Sequence, residues 1–364
     1  MRTVVIGGYG NFGARICRAL ADNPDIQLIA AGRNPDSARF GPRVEAARLD
    51  LQSPDFASEL VALSPGLVIH CAGPFQGQDY RVAQAAISAG AHYIDLADGR
   101  GFVANFAAQF DSTAREAGLL MVSGASTVPA LSSAVIDGLL GRFLQVDEIR
   151  TAIAPGQRAP RGEATIAAVF SYAGKPFKWL RDGAWCDAWG WQELMRMRFA
   201  GLGVRWAAAC DVPDLALFPQ RYPGVKTVEF RAALELGIQH FAIWAAASLR
   251  RVGLPLAIER AAVPLDRAAS LLDWFGSDRG GMLVSLTGTR SDGTRGRIEW
   301  HLTAPANHGP EIPCMATILL AGKLVRGEIA ERGAFPCLGF LRLAEFEPQF
   351  ARWRIFTTIE EGAA

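Results

Sequence analysis

The sequence predicts an α/β fold: a doubly wound parallel sheet, with a later stretch of mainly antiparallel strands. Three observations predict it. A short apolar strand at the N-terminus runs into a glycine-rich turn and an amphipathic helix. Strands and helices then alternate over about the first third of the chain, the pattern of parallel βαβ units. From Val146 onward the pattern changes to alternating strands with a hairpin signal.

The composition supports a folded, two-domain protein. Of 364 residues, 50% are hydrophobic and 20% charged, enough to bury a sizeable core and incompatible with a wholly disordered chain. Lys plus Arg is 37 against 36 for Asp plus Glu, so a formal net charge of +1 gives no reason to expect nucleic acid or an anionic membrane surface as partner. The 6 cysteines are spread along the chain without a C-x-x-C pair. That argues against a zinc knuckle or disulfide framework and fits a reducing, cytoplasmic setting. No secretory signal is visible. Of the two stretches resembling membrane spans, 117–136 is interrupted by glycines, hydroxyl side chains and Pro129, and 236–249 is too short. A soluble protein is expected.

Thr3, Val4, Val5 and Ile6 form a β-branched strand, and Gly7, Gly8, Tyr9, Gly10, Asn11, Phe12 and Gly13 follow at once. Phe12, Ile16 and Leu20 then recur at helical spacing, with Arg15 and Arg18 on the other face. Gly8, Gly10 and Gly13 make a G-x-G-x-x-G between strand and helix, the context in which that motif binds dinucleotides. Gly8 permits the tight turn, Gly10 lets a pyrophosphate approach the backbone, and Gly13 lets helix pack on strand. Amides at the helix start then face the phosphates. Further strands are expected at 27–31, 46–50, Leu67–His70, His92–Asp95 and 119–122. Between them, Val82, Ala86 and Ile87 mark one helix, and Phe102, Phe106 and Phe110 another that stops at Gly118.

The end of the second strand bears on the coenzyme. NAD-selective sites usually place a carboxylate there for the ribose diol. Here Ala31 and Gly32 are followed by Arg33 and Asn34. A guanidinium pairs with a 2′-phosphate where a carboxylate would repel it, so NADP is expected over NAD. Asp50 either lies near the adenine or caps the next segment.

Residues 4–13, Ile69 to Phe75, Ala89 to Leu96 and Ser123 to Pro129 together resemble the saccharopine dehydrogenase-like family of NAD(P)-dependent oxidoreductases. Looser likenesses follow at Tyr222 to Val225 and Pro336 to Gly339. The resemblance implies a Rossmann domain, an inserted α+β domain and hydride chemistry. It also implies that Cys71, Ala72, Gly73 and Pro74 pass near the cofactor ribose and nicotinamide, with Cys71 itself read as a small apolar core residue. By the same resemblance the late helix, opened by Pro310 and Pro313 and closed by Gly327, returns to the first domain. The expected domains are 1–130 for dinucleotide binding, 131–308 for substrate and dimerisation, and 309–364 as a helix and tail back on the first domain.

In the second half, 149–154 reads as a strand, 158–162 as loop, and 283–290 with 297–303 as a hairpin around Ser291, Asp292, Gly293 and Thr294. Val228, Phe230, Ala232, Leu234 and Leu236 alternate with Glu229, Arg231, Ala233 and Glu235, which predicts a half-buried strand with one solvated face. Trp179, Trp185, Trp189 and Trp191 cluster, as core, dimer interface or pocket lining.

A hydride-transfer enzyme needs orientation and a proton carrier more than a nucleophile. Asp98 and Arg100 follow the fifth strand and either bind substrate or pair structurally. Tyr172 stands three residues from Lys175, although the spacing is not that of the short-chain dehydrogenases. His308 precedes the late helix and titrates near neutrality when unperturbed. No metal-ligand spacing and no Gly-x-Ser-x-Gly occurs, so neither a catalytic metal nor a hydrolase is expected. The sequence thus points to an NADP-dependent oxidoreductase acting on a small imine, amine or carbonyl substrate, as a homodimer. The alternatives are an enoyl-type C=C reductase and a non-catalytic NADP-binding sensor or scaffold.

Overall fold

Val4 and Val5 have no exposed surface, and their neighbours in the adjoining strands, Ile29, Ala30, Val68 and Ile69, are as deeply buried. Runs of apolar residues covered on both faces are what a parallel sheet between helices requires. The computed structural model describes residues 1–160, 162–256, 258, 264, 267 and 269–363. It divides into two units, residues 1–131 with 311–341 and residues 132–310 with 342–364.

The first unit holds strands β1 (Arg2–Ile6), β2 (Gln27–Gly32), β3 (Val44–Arg48), β4 (Leu67–His70), β5 (His92–Asp95) and β6 (Leu120–Ser123), with a seventh strand at Gly333–Pro336. Their order across the sheet is Gly333–Pro336, β6, β5, β4, β1, β2, β3, and every pairing is parallel. The third strand starts two residues earlier than the sequence suggests, because Val44 is the buried residue that anchors it beside Leu28. Helices α1 (Asn11–Leu20), α2 (Phe56–Ala62), α3 (Arg81–Ser88) and α4 (Arg100–Glu116) connect the strands. Along α4, Phe102, Phe106 and Phe110 turn inward onto Tyr80, and Phe106 stacks on Tyr93 with ring centres 5.6 Å apart.

The late helix, Ile312–Val325, has a proline in its first turn, where a missing N–H costs nothing. It packs on α1 in this unit. Arg15 Nε donates to Glu311 Oε1 at 2.8 Å, and Thr317 Oγ1 donates to the Ala125 carbonyl at 2.7 Å.

The second unit is organised on a mixed, mainly antiparallel sheet. Its long strand Phe143–Ala154 runs parallel to Thr227–Ala233 and antiparallel to Gly280–Arg290, which forms the expected hairpin with Arg295–Ala304. Two findings differ from the sequence reading. First, Thr227–Ala233 is buried along its whole length instead of half-solvated. Glu229 and Arg231 do alternate with apolar residues, but their face meets ion-pair partners rather than water. Glu229 accepts from Arg231 and Arg181, each at 2.9 Å, and Trp179 lies within 4.5 Å of the Arg181 guanidinium and 5.2 Å of that of Arg231. Burial alone would raise the Glu229 pKa, yet Arg231, Arg181 and Arg150 together hold it below the usual carboxylate value. Glu229→Gln would leave Arg231, 2% exposed, without its counter-charge. A loss of about 3–5 kcal/mol in a denaturant titration is expected, as for other buried pairs stripped of one partner.

Second, the tail does not stay with the first unit. Residues 342–364 belong to the second, where Phe356–Ala363 extends the sheet antiparallel to Arg295–Ala304. Glu361 on that strand accepts from Arg142 at 2.9 Å and from Arg290 at 2.5 Å. In the same unit Asp214 opens the helix Asp214–Arg221 while only 1% exposed, and burial raises its pKa to about 8, with Ser132 as its polar neighbour. Among the described residues no helix is long and apolar enough to cross a membrane.

Candidate functional site

The order of strands in the first sheet reverses at β1, which has β2 on one side and β4 on the other. Doubly wound sheets bind ligands at the carboxyl edge of such a point, and the glycine turn lies there. Gly7 and Gly8 both donate to the Ala31 carbonyl, at 2.9 and 3.0 Å, which folds the turn back on β2. Gly7 takes φ +78°, and a Cβ there would come within 3.0 Å of the Ala72 nitrogen. At Gly13 a Cβ would stand 2.2 Å from the Gly7 carbonyl, so helix and turn touch without a side chain between them.

Gly10 caps α1 in extended geometry. No side chain caps the helix, and no acidic residue stands in its first turn. A Cβ at Gly10 would meet only the Gly7 carbonyl, at 3.2 Å, so its remaining sides are open. A helix start without a side-chain cap and without negative charge in its first turn fits a diphosphate. The cradle is therefore able to hold a dinucleotide through the backbone of Gly8, Gly10 and the first turn of α1.

The neighbouring loop, Cys71 to Pro74, leaves β4 beside it, with the Cys71 amide donating to the Ile6 carbonyl at 2.8 Å. Burial keeps the Cys71 thiol well above its ordinary pKa, so this sulfur is no thiolate. Gln78 Nε2 braces the loop through the Ala72 carbonyl at 3.0 Å. A cavity of about 200 Å³ follows, lined by Leu51, Gln52, Gly77, Gln78, Asp79, Arg81 and Val82. Asp50 adjoins this cavity in sequence, but its Oδ1 accepts from the Gln52 amide at 3.0 Å, the turn-capping option. Arg33 and Asn34 are exposed directly after β2. Tyr9 Oη donates to the Ala30 carbonyl at 3.2 Å, and its ring covers Gly32, whose Cβ would lie 3.0 Å from Tyr9 Cδ2.

Of the three proton-carrier candidates, only Asp98 lies in the first unit. It is half-buried just past β5 and accepts from Gln76 Nε2 at 3.1 Å, and burial raises its pKa. Tyr172 Oη instead lies 2.9 Å from Cys210 Sγ in the second unit. His308 Nδ1 is 2.6 Å from the Trp353 carbonyl, which can only accept, so Nδ1 carries the proton. Trp179 and Trp191 are spent on the core of their own unit.

Sequence reasoning missed a buried polar chain under this edge. His70 ends β4, Asp95 sits beside it at the end of β5, and Ser123 ends β6. Asp95 Oδ1 accepts from the Gly124 amide at 2.7 Å, the Ala97 amide at 2.9 Å and Ser123 Oγ at 3.0 Å, tying together the loops that leave β5 and β6. Burial lifts the Asp95 pKa to about 6, against those donors, and lowers His70 to about 4. His70 Nδ1 lies 3.1 Å from Tyr93 Oη. The available signal was three polar residues, each closing one of three consecutive strands.

Elsewhere, Glu299, His301 and Glu360 gather ligand-type atoms within 4.8 Å of one another. Arg198 pairs with Glu360, and Arg297 Nε approaches Glu299 at 3.4 Å, so guanidiniums already answer both carboxylates.

Comparison with known proteins agrees with this geometry. The family model of the saccharopine dehydrogenase NADP binding domain matches residues 3–122. Among solved structures, the saccharopine dehydrogenase (L-Glu forming) of Saccharomyces cerevisiae is similar with a TM-score of 0.68 at 13% identity, over 100% of both chains. The homospermidine synthase of Legionella pneumophila, in complex with NAD, gives a TM-score of 0.60 at 11% identity, over 99% of this chain and 91% of that one. At such identities these two likenesses concern the fold. A search of curated proteins finds no match to the chain.

Proposed function

We propose that the chain is a saccharopine dehydrogenase-like NAD(P)-dependent oxidoreductase that moves a hydride between NADP(H) and the carbon of a small imine/amine or carbonyl substrate, a reading supported by the match of residues 3–122 to the saccharopine dehydrogenase NADP binding domain. The observation that carries the coenzyme half is the uncapped start of α1, reached through Gly8, Gly10 and Gly13 at the switch point of the sheet. When bound, the nicotinamide supplies or accepts the hydride. Gly10 and the first turn of α1 hold the diphosphate, and the Cys71 to Pro74 loop supports the nicotinamide ribose. Arg33 pairs with the 2′-phosphate.

Reduction of an imine or carbonyl also needs a proton. Asp98 is suited to deliver it, since burial raises its pKa and its Oδ1 is held by Gln76. Tyr172 and His308 are engaged within the second unit, and their substitution belongs in the same experiment.

Titration of intrinsic fluorescence with NADPH and NADH tests the reading first. NADPH should bind well below millimolar, and failure of both coenzymes to do so would overturn it. Arg33→Ala should weaken NADPH about tenfold or more and NADH little, as expected for a lost charge-assisted bond. Equal losses would remove the NADP assignment. NADPH oxidation against imine, carbonyl and enoyl panels then sets the substrate class. Turnover confined to enoyl compounds replaces that class, and tight binding without turnover favours a sensor or scaffold.

A further inference from the structure

Beside the glycine cradle stands a group of cations that sequence reasoning did not connect. Tyr9 and Phe40 face each other with ring centres 5.7 Å apart. The Arg39 guanidinium lies 6.0 Å from the Tyr9 ring centre and 5.8 Å from that of Phe40, and the Arg18 guanidinium, from α1, lies 5.9 Å from the same Phe40 ring. Arg33 leaves β2 close by in sequence, and all three arginines are exposed. Among the described residues, no carboxylate forms an ion pair with Arg18, Arg33 or Arg39. Asp36 is the acidic group of this loop. Its Oδ1 accepts from the Ala38 amide at 3.0 Å, and its charge acts on Tyr9.

Two guanidiniums near one aromatic ring repel each other, and among the described residues no carboxylate pairs with either. Elsewhere in the first unit, arginines such as Arg15, Arg81 and Arg115 are answered by Glu311, Asp79 and Asp111. A concentration of unanswered positive charge at the rim of an anion cradle attracts a multiply charged anion. A planar guanidinium held on an aromatic shelf also loses less freedom when it pairs with a phosphate.

We infer that Arg39, presented on the Tyr9–Phe40 shelf, is a coenzyme-selecting residue that binds the 2′-phosphate of NADP alongside Arg33. Arg18 adds to the local field from α1, 5.9 Å from the Phe40 ring centre. The inference rests on the coenzyme reading above and adds a residue to it. Tyr9 then has two duties in one side chain. Its ring crowds position 32, where an NAD-selective site would keep its acid, and it supports the guanidinium that replaces that acid.

The test compares Arg39→Ala and Arg39→Lys with the unaltered full chain, titrated with NADPH, NADH, adenosine 2′,5′-bisphosphate and 5′-AMP. Because Arg39 is exposed, both variants should fold, and circular dichroism melting verifies this. Arg39→Ala should lower affinity for NADPH and for the bisphosphate about tenfold or more, with NADH and 5′-AMP changed less than about twofold. Arg39→Lys should recover part of the loss, since charge is kept and the paired donors are not. Unchanged NADPH binding in Arg39→Ala, or equal losses with NADH, would overturn the inference while leaving a nicotinamide site in place. Absence of binding by the unaltered chain to both coenzymes would overturn the coenzyme reading itself, and this inference with it.

Discussion

Replacing Gly10 with aspartate is expected to abolish dinucleotide binding while leaving the chain folded, with stability within about 1 kcal/mol of the parent. Gly10 is the N-cap of α1, already extended, with φ −74° and ψ 178°, and its Cβ position meets only the Gly7 carbonyl. Aspartate is among the preferred residues at such a position because its carboxylate accepts from the amides one turn on, and it exceeds glycine there by a few tenths of a kcal/mol. Those amides, and the positive end of the helix, are what a diphosphate would use. The introduced carboxylate competes for the donors and repels the ligand. A loss on the order of 100-fold or more in NADPH affinity is expected from these two effects together. Calorimetric titration read beside the melting temperature checks both at once. Retained affinity in a folded variant would mean that the α1 start is not the diphosphate site.

The second large effect concerns Asp214 and pH. Its folded pKa of about 8 lies far above the 3.8 of an ordinary aspartate, because burial disfavours the charged form. Between those values the folded chain holds a proton that the unfolded chain has released. The stability associated with that proton is complete below about pH 4 and drains away as pH rises toward 8. Asp214→Asn mimics the protonated form and never ionises. Its stability relative to the parent should rise by on the order of 1.4 kcal/mol per pH unit across that interval, then level off above pH 8. Comparing the two chains in denaturant at several pH values cancels every other titrating group. A difference that does not vary with pH would show that Asp214 is ionised in the folded protein.

What could be read from residues alone followed the range of the interactions involved. The glycine turn was legible because strand, turn and helix lie within one short segment, and each glycine has a local steric reason. The parallel sheet was legible from its apolar strands. Glu229 and Arg231 misled because alternation reports which face is polar and not what covers it; Arg150 and Arg181, far along the chain, take the place of water. The Asp95 chain escaped for a similar reason, since two of its three donors come from the end of another strand. Arg39 was passed over because its relation to Tyr9 depends on the loop after β2 folding back onto the turn after β1. Arg33, in contrast, could be singled out from its place at a strand end.

The three crossings of the backbone between units bear on how the molecule is made. The first sheet has no neighbour for the outer side of β6 until Gly333–Pro336 is synthesised, and the second has an uncovered flank on Arg295–Ala304 until Phe356–Ala363 arrives. Neither unit can close while the ribosome is still working through the middle of the message. A nascent chain halted near residue 330 would therefore present two open β flanks at once, which makes premature termination a direct route to clumping and gives chaperones a defined interval in which to act.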